Sequence, residues 1–344
     1  MREQGKQVKN IKLLAVTLAA CLAVACFSAA FGAEIDDQFD ADIGKELTPE
    51  AEAAINKALA RLVTFQNRDG SWGGDHKGGM TGIALMAFMV TGNFPGRPPY
   101  GDAMEKGVNF LLAKAEKGGG FIGPNMYDHG FATLALSEVW GMSDREEIRD
   151  TLKRCVDVIL RAQNAEGGWR YAPYPELADI SVTVTQIVAL ASAREAGILV
   201  PDKTLEKAIE FVKWHRLGDG YRYMHGTLPN FARTAAALTS LLMCGERDPK
   251  LIEPSIRFLM DYPQSVVRTP GREAYYYGHY YAIQAIYQAG EHYYQEWYPK
   301  IRDDLLKDQD PSGAWHIRDP YGIGTPMSII ILGVPYRYLP IYQR

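Results

Sequence analysis

The chain is poor in cysteine and carries no excess of basic charge. Only four of its 344 residues are cysteine, and Cys21 and Cys26 fall in an apolar stretch near the N-terminus. Cys155 and Cys244 are too few and too far apart for a disulfide framework and read as buried apolar thiols. Lysine and arginine number 37 against 41 aspartates and glutamates, a net charge of -4, which excludes the basic footprint of a nucleic-acid binder. No run of five like charges occurs, so neither a polybasic membrane patch nor a solvated tail is present. Beyond the N-terminus, no apolar run approaches membrane-spanning length.

The N-terminus itself has Arg2, Lys6, Lys9 and Lys12 followed by a charge-free stretch from Leu13 to Ala33 rich in Ala, Leu and Val. This is the pattern of a secretory signal over residues 1–33, and the chain is expected to be exported, to the periplasm or beyond the cell. Leu18-Ala19-Ala20-Cys21 resembles a bacterial lipoprotein cleavage box, in which Cys21 is acylated. Cleavage after Ala30 or Gly32 and retention as a membrane anchor are the alternatives. Membrane contact is expected only through this signal or its lipid. Residues 34–48 form an acidic leader without periodicity, holding Asp36, Asp37, Asp40 and Asp42.

From residue 49 the chain alternates two kinds of helical pattern. Polar-faced segments over 49–66, 101–117, 144–163, 202–216, 249–262 and 291–309 alternate with segments apolar almost all round, over 79–90, 127–140, 179–196, 230–245, 273–290 and 325–334. A helix apolar on every side needs cover on every side. A period of about 48 residues marks a repeat architecture, and six such pairs suit a closed ring better than an open solenoid. The expected fold is therefore all-α: a closed (α/α)6 toroid over residues 49–344, with six inner and six outer helices.

One short motif punctuates the pattern. Gln66-Asn67-Arg68-Asp69-Gly70-Ser71-Trp72, Gln163-Asn164-Ala165-Glu166-Gly167-Gly168-Trp169 and Gln309-Asp310-Pro311-Ser312-Gly313-Ala314-Trp315 share a Gln six residues before a Trp and a Gly two before it. Degenerate copies place Phe121 and Tyr221 at the Trp position, and residues 264–272 replace the motif in the fifth pair. The residue types suit a structural role. Gly permits a tight turn at a helix end, Trp fills a wedge between helix pairs, Gln satisfies backbone groups at an adjacent helix end, and Asp or Glu suits a helix N-terminus.

Gln-x-x-Asp-Gly-x-Trp resembles the repeat of squalene–hopene cyclases and their relatives in the prenyltransferase/squalene-oxidase repeat group, over residues 49–342. The resemblance implies the toroid, a central cavity and an apolar isoprenoid or lipid ligand. It does not bring the catalytic motifs with it. The cyclases protonate an alkene with an Asp-x-Asp-Asp motif; here Asp179 stands alone and suits a helix N-cap. Held as a carboxylate by that helix, it is a poor alkene-protonating acid, so no cyclisation of squalene is expected. The zinc of the prenyltransferases needs Asp, Cys and His ligands, and neither Cys155 nor Cys244 has them at the required spacing, so no metal and no other cofactor is expected. Cys244-Gly245-Glu246-Arg247 resembles the thioester motif of complement-type toroids but has Arg in place of the acylating Gln.

Candidate site residues gather at the starts of the apolar segments: Asp75, His76, Tyr127, Asp128, His129, Asp179, Asn230, Arg233, Tyr276, His279 and Tyr280. His129, His279 and Asp179 are the titratable candidates for catalysis. Tyr127, Arg233, Tyr276 and Tyr280 are the candidates for ligand binding, since tyrosine faces stabilise a cation or stack on a sugar. Three functions stay open: binding or converting an isoprenoid or lipid, a non-catalytic toroid that holds a protein or glycan, and an exported polysaccharide-active enzyme. A closed apolar cavity favours the first, an open polar groove a glycan, and a filled centre a scaffold.

Overall fold

The structure is a computed structural model that describes residues 46–268, 274–316, 319 and 322–339. The proposed signal and nearly all of the acidic leader lie outside the described residues. Residues 49 onward make a separate compact unit.

The polar-faced helices are α1 (Pro49–Thr64), α3 (Gly101–Lys117), α5 (Glu146–Ala162), α7 (Asp202–Trp214), α9 (Pro249–Asp261) and α12 (Glu291–Asp308). The apolar ones are α2 (Lys77–Met89), α4 (Met126–Trp140), α6 (Ile180–Glu195), α8 (Phe231–Met243), α11 (Tyr275–Ala289) and α13 (Gly324–Gly333). A one-turn helix, α10 (Gln264–Val267), occupies the loop that replaces the motif in the fifth pair. The only strands among the described residues are β1 (Arg216–Leu217) and β2 (Gly220–Tyr221), a two-residue antiparallel pair after α7.

The six apolar helices touch one another in a complete cycle: α2 on α4, α4 on α6, α6 on α8, α8 on α11, α11 on α13, and α13 back on α2. Nearly every residue of α2 and α6 is buried, as their all-round apolarity demands. Glycine sets how closely the cycle packs. A Cβ at Gly82 of α2 would lie 2.5 Å from the Phe131 carbonyl oxygen on α4, so these two backbones approach as only glycine permits.

The motif loops tie the outer helices together. Gln66 Nε2 donates to the Gly70 carbonyl of its own turn (2.9 Å) and to the Ala103 carbonyl in α3 (2.8 Å). Gln163 does the same to Gly167 (2.9 Å) and to Thr204 in α7 (2.9 Å). Gln309 bonds Gly313 (3.1 Å) and Ala54 in α1 (2.9 Å). In every case the second acceptor lies on the next outer helix, so after α12 the next helix is α1. Three residues beyond each acceptor, the motif glycine presses on the same helix: a Cβ on Gly70, Gly167 or Gly313 would fall 2.5, 2.3 or 3.0 Å from the carbonyl oxygen of Lys106, Lys207 or Lys57. Each of these glycines also has positive φ, between +86° and +98°, where a side chain is strained.

The tryptophans are buried and doubly bonded. The indole N–H of Trp72, Trp169 and Trp315 donates to the carbonyls of Leu62, Ile159 and Leu305 near the end of the preceding outer helix (2.7–2.8 Å). Their backbone N–H groups donate to the hydroxyls of Thr81, Thr183 and Thr325 (2.9–3.1 Å). Tyr221 is placed likewise, its N–H donating to Thr234 (3.0 Å).

Two expectations about the motif need correction. In the second pair Ile122, not Phe121, takes the tryptophan's place: it follows Gly120 by two residues and is fully buried, while Phe121 is half-exposed. The motif acids do not cap a neighbouring helix. Asp69 and Asp310 close their own turns, accepting from the backbone N–H and hydroxyl of Ser71 and Ser312.

Candidate functional site

The N-terminal ends of all six inner helices border one cavity of about 520 Å³, a size usual for a small-molecule site. Polar residues collect there because helix starts need acceptors for their free N–H groups. Asn125 caps α4, accepting from Tyr127 and Asp128 (2.8 and 3.2 Å), and Asn230 caps α8, accepting from Arg233 (3.0 Å).

The lining divides into two arcs. Met80 and Ile83 of α2, Ile323 and Met327 at α13, and Phe131 of α4 make an apolar arc. Tyr127, Tyr171, Ser181, Tyr223, Asn230, Arg233 and Tyr277 make a polar and aromatic arc that runs from α4 through α6 and α8 to α11. In the cycle of six, α8 stands opposite α2, so Arg233 faces the cavity across from Met80 and Ile83. The tyrosines contact one another: Tyr171 and Tyr223 hydroxyls are 3.2 Å apart, those of Tyr127 and Tyr277 3.5 Å apart. Burial raises the Tyr127, Tyr223 and Tyr277 phenols above their usual range, so all three remain neutral donors.

At the starts of α2 and α4 sits a carboxylate–imidazole pair. Asp128, 2% exposed, accepts the Gly79 N–H on Oδ1 (3.0 Å) and contacts His76 Nδ1 with Oδ2 (2.8 Å). Asp128 thus caps α2 from α4 and orients the imidazole, whose ring is 61% exposed at the cavity edge. A carboxylate that fixes one ring nitrogen leaves the other to take or give a proton. We expect Asp128→Ala to cost about 2–3 kcal/mol, because it leaves the Gly79 N–H buried without an acceptor. His76→Ala should cost under ~1 kcal/mol, since its ring is largely in solvent. Urea denaturation at pH 7 checks this, and a His76 loss equal to that of Asp128 would show the imidazole to be a strut.

Of the residues expected at the ligand from sequence, Tyr127 and Arg233 line the cavity, whereas Tyr276 and Tyr280 do not. Those two are buried in the wall, Tyr280 edge-on to Phe131 at 6.1 Å, and Tyr277 between them reaches the lumen. The expected catalytic histidines do not line it either. His129 is fully buried, accepting the Ile122 N–H on Nδ1 (3.1 Å) and donating from Nε2 to the Cys155 carbonyl (3.0 Å). Burial lowers its pKa to about 4. His279 is packed among the rings of Tyr275, Phe231 and Trp297 at 4.6–5.4 Å.

Asp179 caps α6, accepting the Val182 N–H at 2.9 Å, behind the cavity wall. Its carboxyl is pushed up rather than held down. Burial is the largest cause, and the Val182 amide, the Tyr223 hydroxyl and the Arg170 charge offset it only in part. The helix-terminus argument for a stabilised carboxylate is therefore outweighed by desolvation. Cys155 and Cys244 are free thiols, raised to about 12 and about 11 by burial, and unsuited to nucleophilic chemistry. Among the described residues no group of three His, Cys, Asp or Glu could hold a metal ion.

No family model matches the chain, and no curated protein does. Solved structures match it over most of its length. A variant of MstE from Scytonema, a type II terpene cyclase in complex with its substrate geranylgeranyl dihydroxybenzoate, is 14% identical with a TM-score of 0.57, covering 85% of this chain and 98% of that one. The GH76A α-1,6-mannanase of Salegentibacter sp. HEL1_6 is 9% identical with a TM-score of 0.61, covering 83% and 98%. A protein from Actinoplanes is 15% identical with a TM-score of 0.59, covering 84% and 99%. The chain is an α/α toroid. That fold carries a lipid-like substrate in one neighbour and belongs to a glycan-active enzyme in another, so this toroid's function rests on its own lining.

Proposed function

We propose that this toroid binds an amphipathic isoprenoid or lipid in its central cavity. The single observation that carries the reading is the split lining. Met80, Ile83, Phe131, Ile323 and Met327 offer apolar surface for a hydrocarbon body, opposite hydroxyl and guanidinium donors for a polar end. The His76–Asp128 pair at the edge supplies an acid–base group should the bound molecule be converted rather than carried. The nature of the solved terpene cyclase's substrate supports the same class of ligand.

A second reading, a glycan site, has one observation behind it: four tyrosines share the cavity, and tyrosine faces stack on sugar rings. The mannanase neighbours support it. Thermal denaturation with added farnesol or with a mannotriose separates the two. At 100 times its Kd a ligand adds about 2.7 kcal/mol, which raises Tm by several degrees. We expect the rise with farnesol only. A rise with the oligosaccharide alone would replace the lipid reading with the glycan one. Solvent extraction of the purified protein followed by mass spectrometry should identify the natural ligand.

The reading includes export of a chain built from six repeated helix pairs. The basic and apolar pattern of residues 1–33 supports the export. N-terminal sequencing of the mature protein should begin at Cys21 or close to Ala33; a mature chain that begins at Met1 would refute it.

A further inference from the structure

We infer that Arg233 is the anchor for a carboxylate head group on the cavity's ligand. The inference rests on the amphipathic-ligand reading and adds the sign and chemistry of the polar end. Arg233 lines the lumen from the first turn of α8. One of its guanidinium N–H groups donates to the Leu228 carbonyl at 3.1 Å, and the plane lies 5.5 Å from the centre of the Tyr223 ring. A guanidinium carries five N–H donors. Among the described residues no carboxylate lies within salt-bridge distance of it, so most of its donors and its whole charge remain for another group.

Among the described residues the other charges at the cavity are already matched. Asp128 is held by His76 and the Gly79 N–H. Asp179, behind the wall, lies in the field of Arg170, which leans on Tyr171 and Met224 rather than reaching the lumen. Arg233 is thus the one lumen cation without an anionic partner among the described residues. A planar guanidinium suits a carboxylate, which it can grip with two parallel N–H···O bonds. The Tyr223 ring beside it packs against the guanidinium, while its hydroxyl is engaged with Tyr171 and Asp179. Because α8 stands opposite α2, a head group held at Arg233 points its hydrocarbon body toward Met80 and Ile83.

Calorimetric titration at pH 7 with two matched pairs tests this: farnesoate against farnesol, and dodecanoate against dodecanol. We expect the acid to bind at least tenfold more tightly than its alcohol in one pair or both. The pair that shows it says whether the body is isoprenoid or straight-chain. Arg233→Met should abolish the preference, weakening the acid at least tenfold more than the alcohol with Tm close to the parent's, and Arg233→Lys should keep part of it. Equal affinity for acid and alcohol in the parent protein would overturn the anchor and leave the lipid cavity standing. A preference that survives Arg233→Met would overturn Arg233's part in it. If Arg233→Met weakens acid and alcohol alike, its role is to hold the loop at Leu228, and the anchor fails. If no ligand of either pair binds, the lipid reading fails and the anchor with it.

Discussion

Replacing any one of Trp72, Trp169 or Trp315 by alanine is expected to destabilise the toroid by about 3–5 kcal/mol. Each ring is at most 1% exposed, and each sits where an outer helix ends and an inner one begins. Alanine removes the apolar body and opens a cavity too deep for the surrounding helices to close. It also removes the indole bond to a carbonyl near the end of the outer helix, Leu62, Ile159 or Leu305; the Leu62 and Leu305 carbonyls keep the backbone N–H groups of Phe65 and Gln309, so this is the smaller part of the loss. Phenylalanine at the same position should cost less, because it keeps most of the volume and loses only the hydrogen bond. Denaturant unfolding of the three variants checks both orders. A melting temperature unchanged in all three would mean that the motif does not hold the ring together.

The second large effect is on pH. His129 is neutral in the folded protein, with its pKa lowered to about 4 by burial, whereas an unfolded histidine titrates near 6.5. Below 6.5 the unfolded chain therefore binds a proton that the folded chain refuses. Stability contributed by the neutral imidazole is whole above pH 6.5 and is lost as pH falls toward 4. The loss amounts to about 3 kcal/mol from this one group. His215, also lowered by burial and bonded to the Phe211 carbonyl, adds in the same sense. Asp179 works against them: its raised carboxyl penalises the folded state at neutral pH, and that penalty is relieved as it protonates. Urea unfolding at pH 7 and pH 4.5 should show a clear fall in stability at the lower pH, and His129 ring signals in NMR should show no titration step near 6.5 and begin to move only toward pH 4. Titration of His129 near 6.5 in the folded state would contradict the burial argument.

Both effects involve residues whose types were plain in the sequence and whose roles were not. The three Gln-to-Trp stretches were legible as punctuation, because a glycine two residues before a buried aromatic is a local turn device. That Gln66, Gln163 and Gln309 each reach the next outer helix was not, since Ala103, Thr204 and Ala54 lie 37, 41 and 255 residues away in the chain. His129 read as a catalytic candidate because it stands at the start of an inner helix. Its bond to the Cys155 carbonyl, 26 residues on, exists only once α4 and α5 have packed, and that bond turns it into a strut.

The tyrosines of α11 make the same point. Successive side chains on a helix are turned about 100° from one another, so Tyr275, Tyr276 and Tyr277 cannot all face the lumen. Which one does depends on how the helix is rotated against α8 and α13, and the structure selects Tyr277. His76 and Asp128 were both among the residues at inner-helix starts, yet nothing local marks them as a pair. They are 52 residues apart and meet at 2.8 Å because glycines let α2 and α4 approach closely.

By itself, then, the sequence determined which segments are helices, which of them are buried all round, and that they pair into a toroid. Those properties follow from hydrophobic periodicity and turn chemistry within a few residues, and they survive any detail of packing. The tertiary structure alone decided which side chains converge on the lumen, that Arg233 faces it without a partner among the described residues, and that Asp179 is dry enough for burial to outweigh its helix. Rotation and spacing of neighbouring helices set those outcomes, and they depend on contacts between residues distant in the chain.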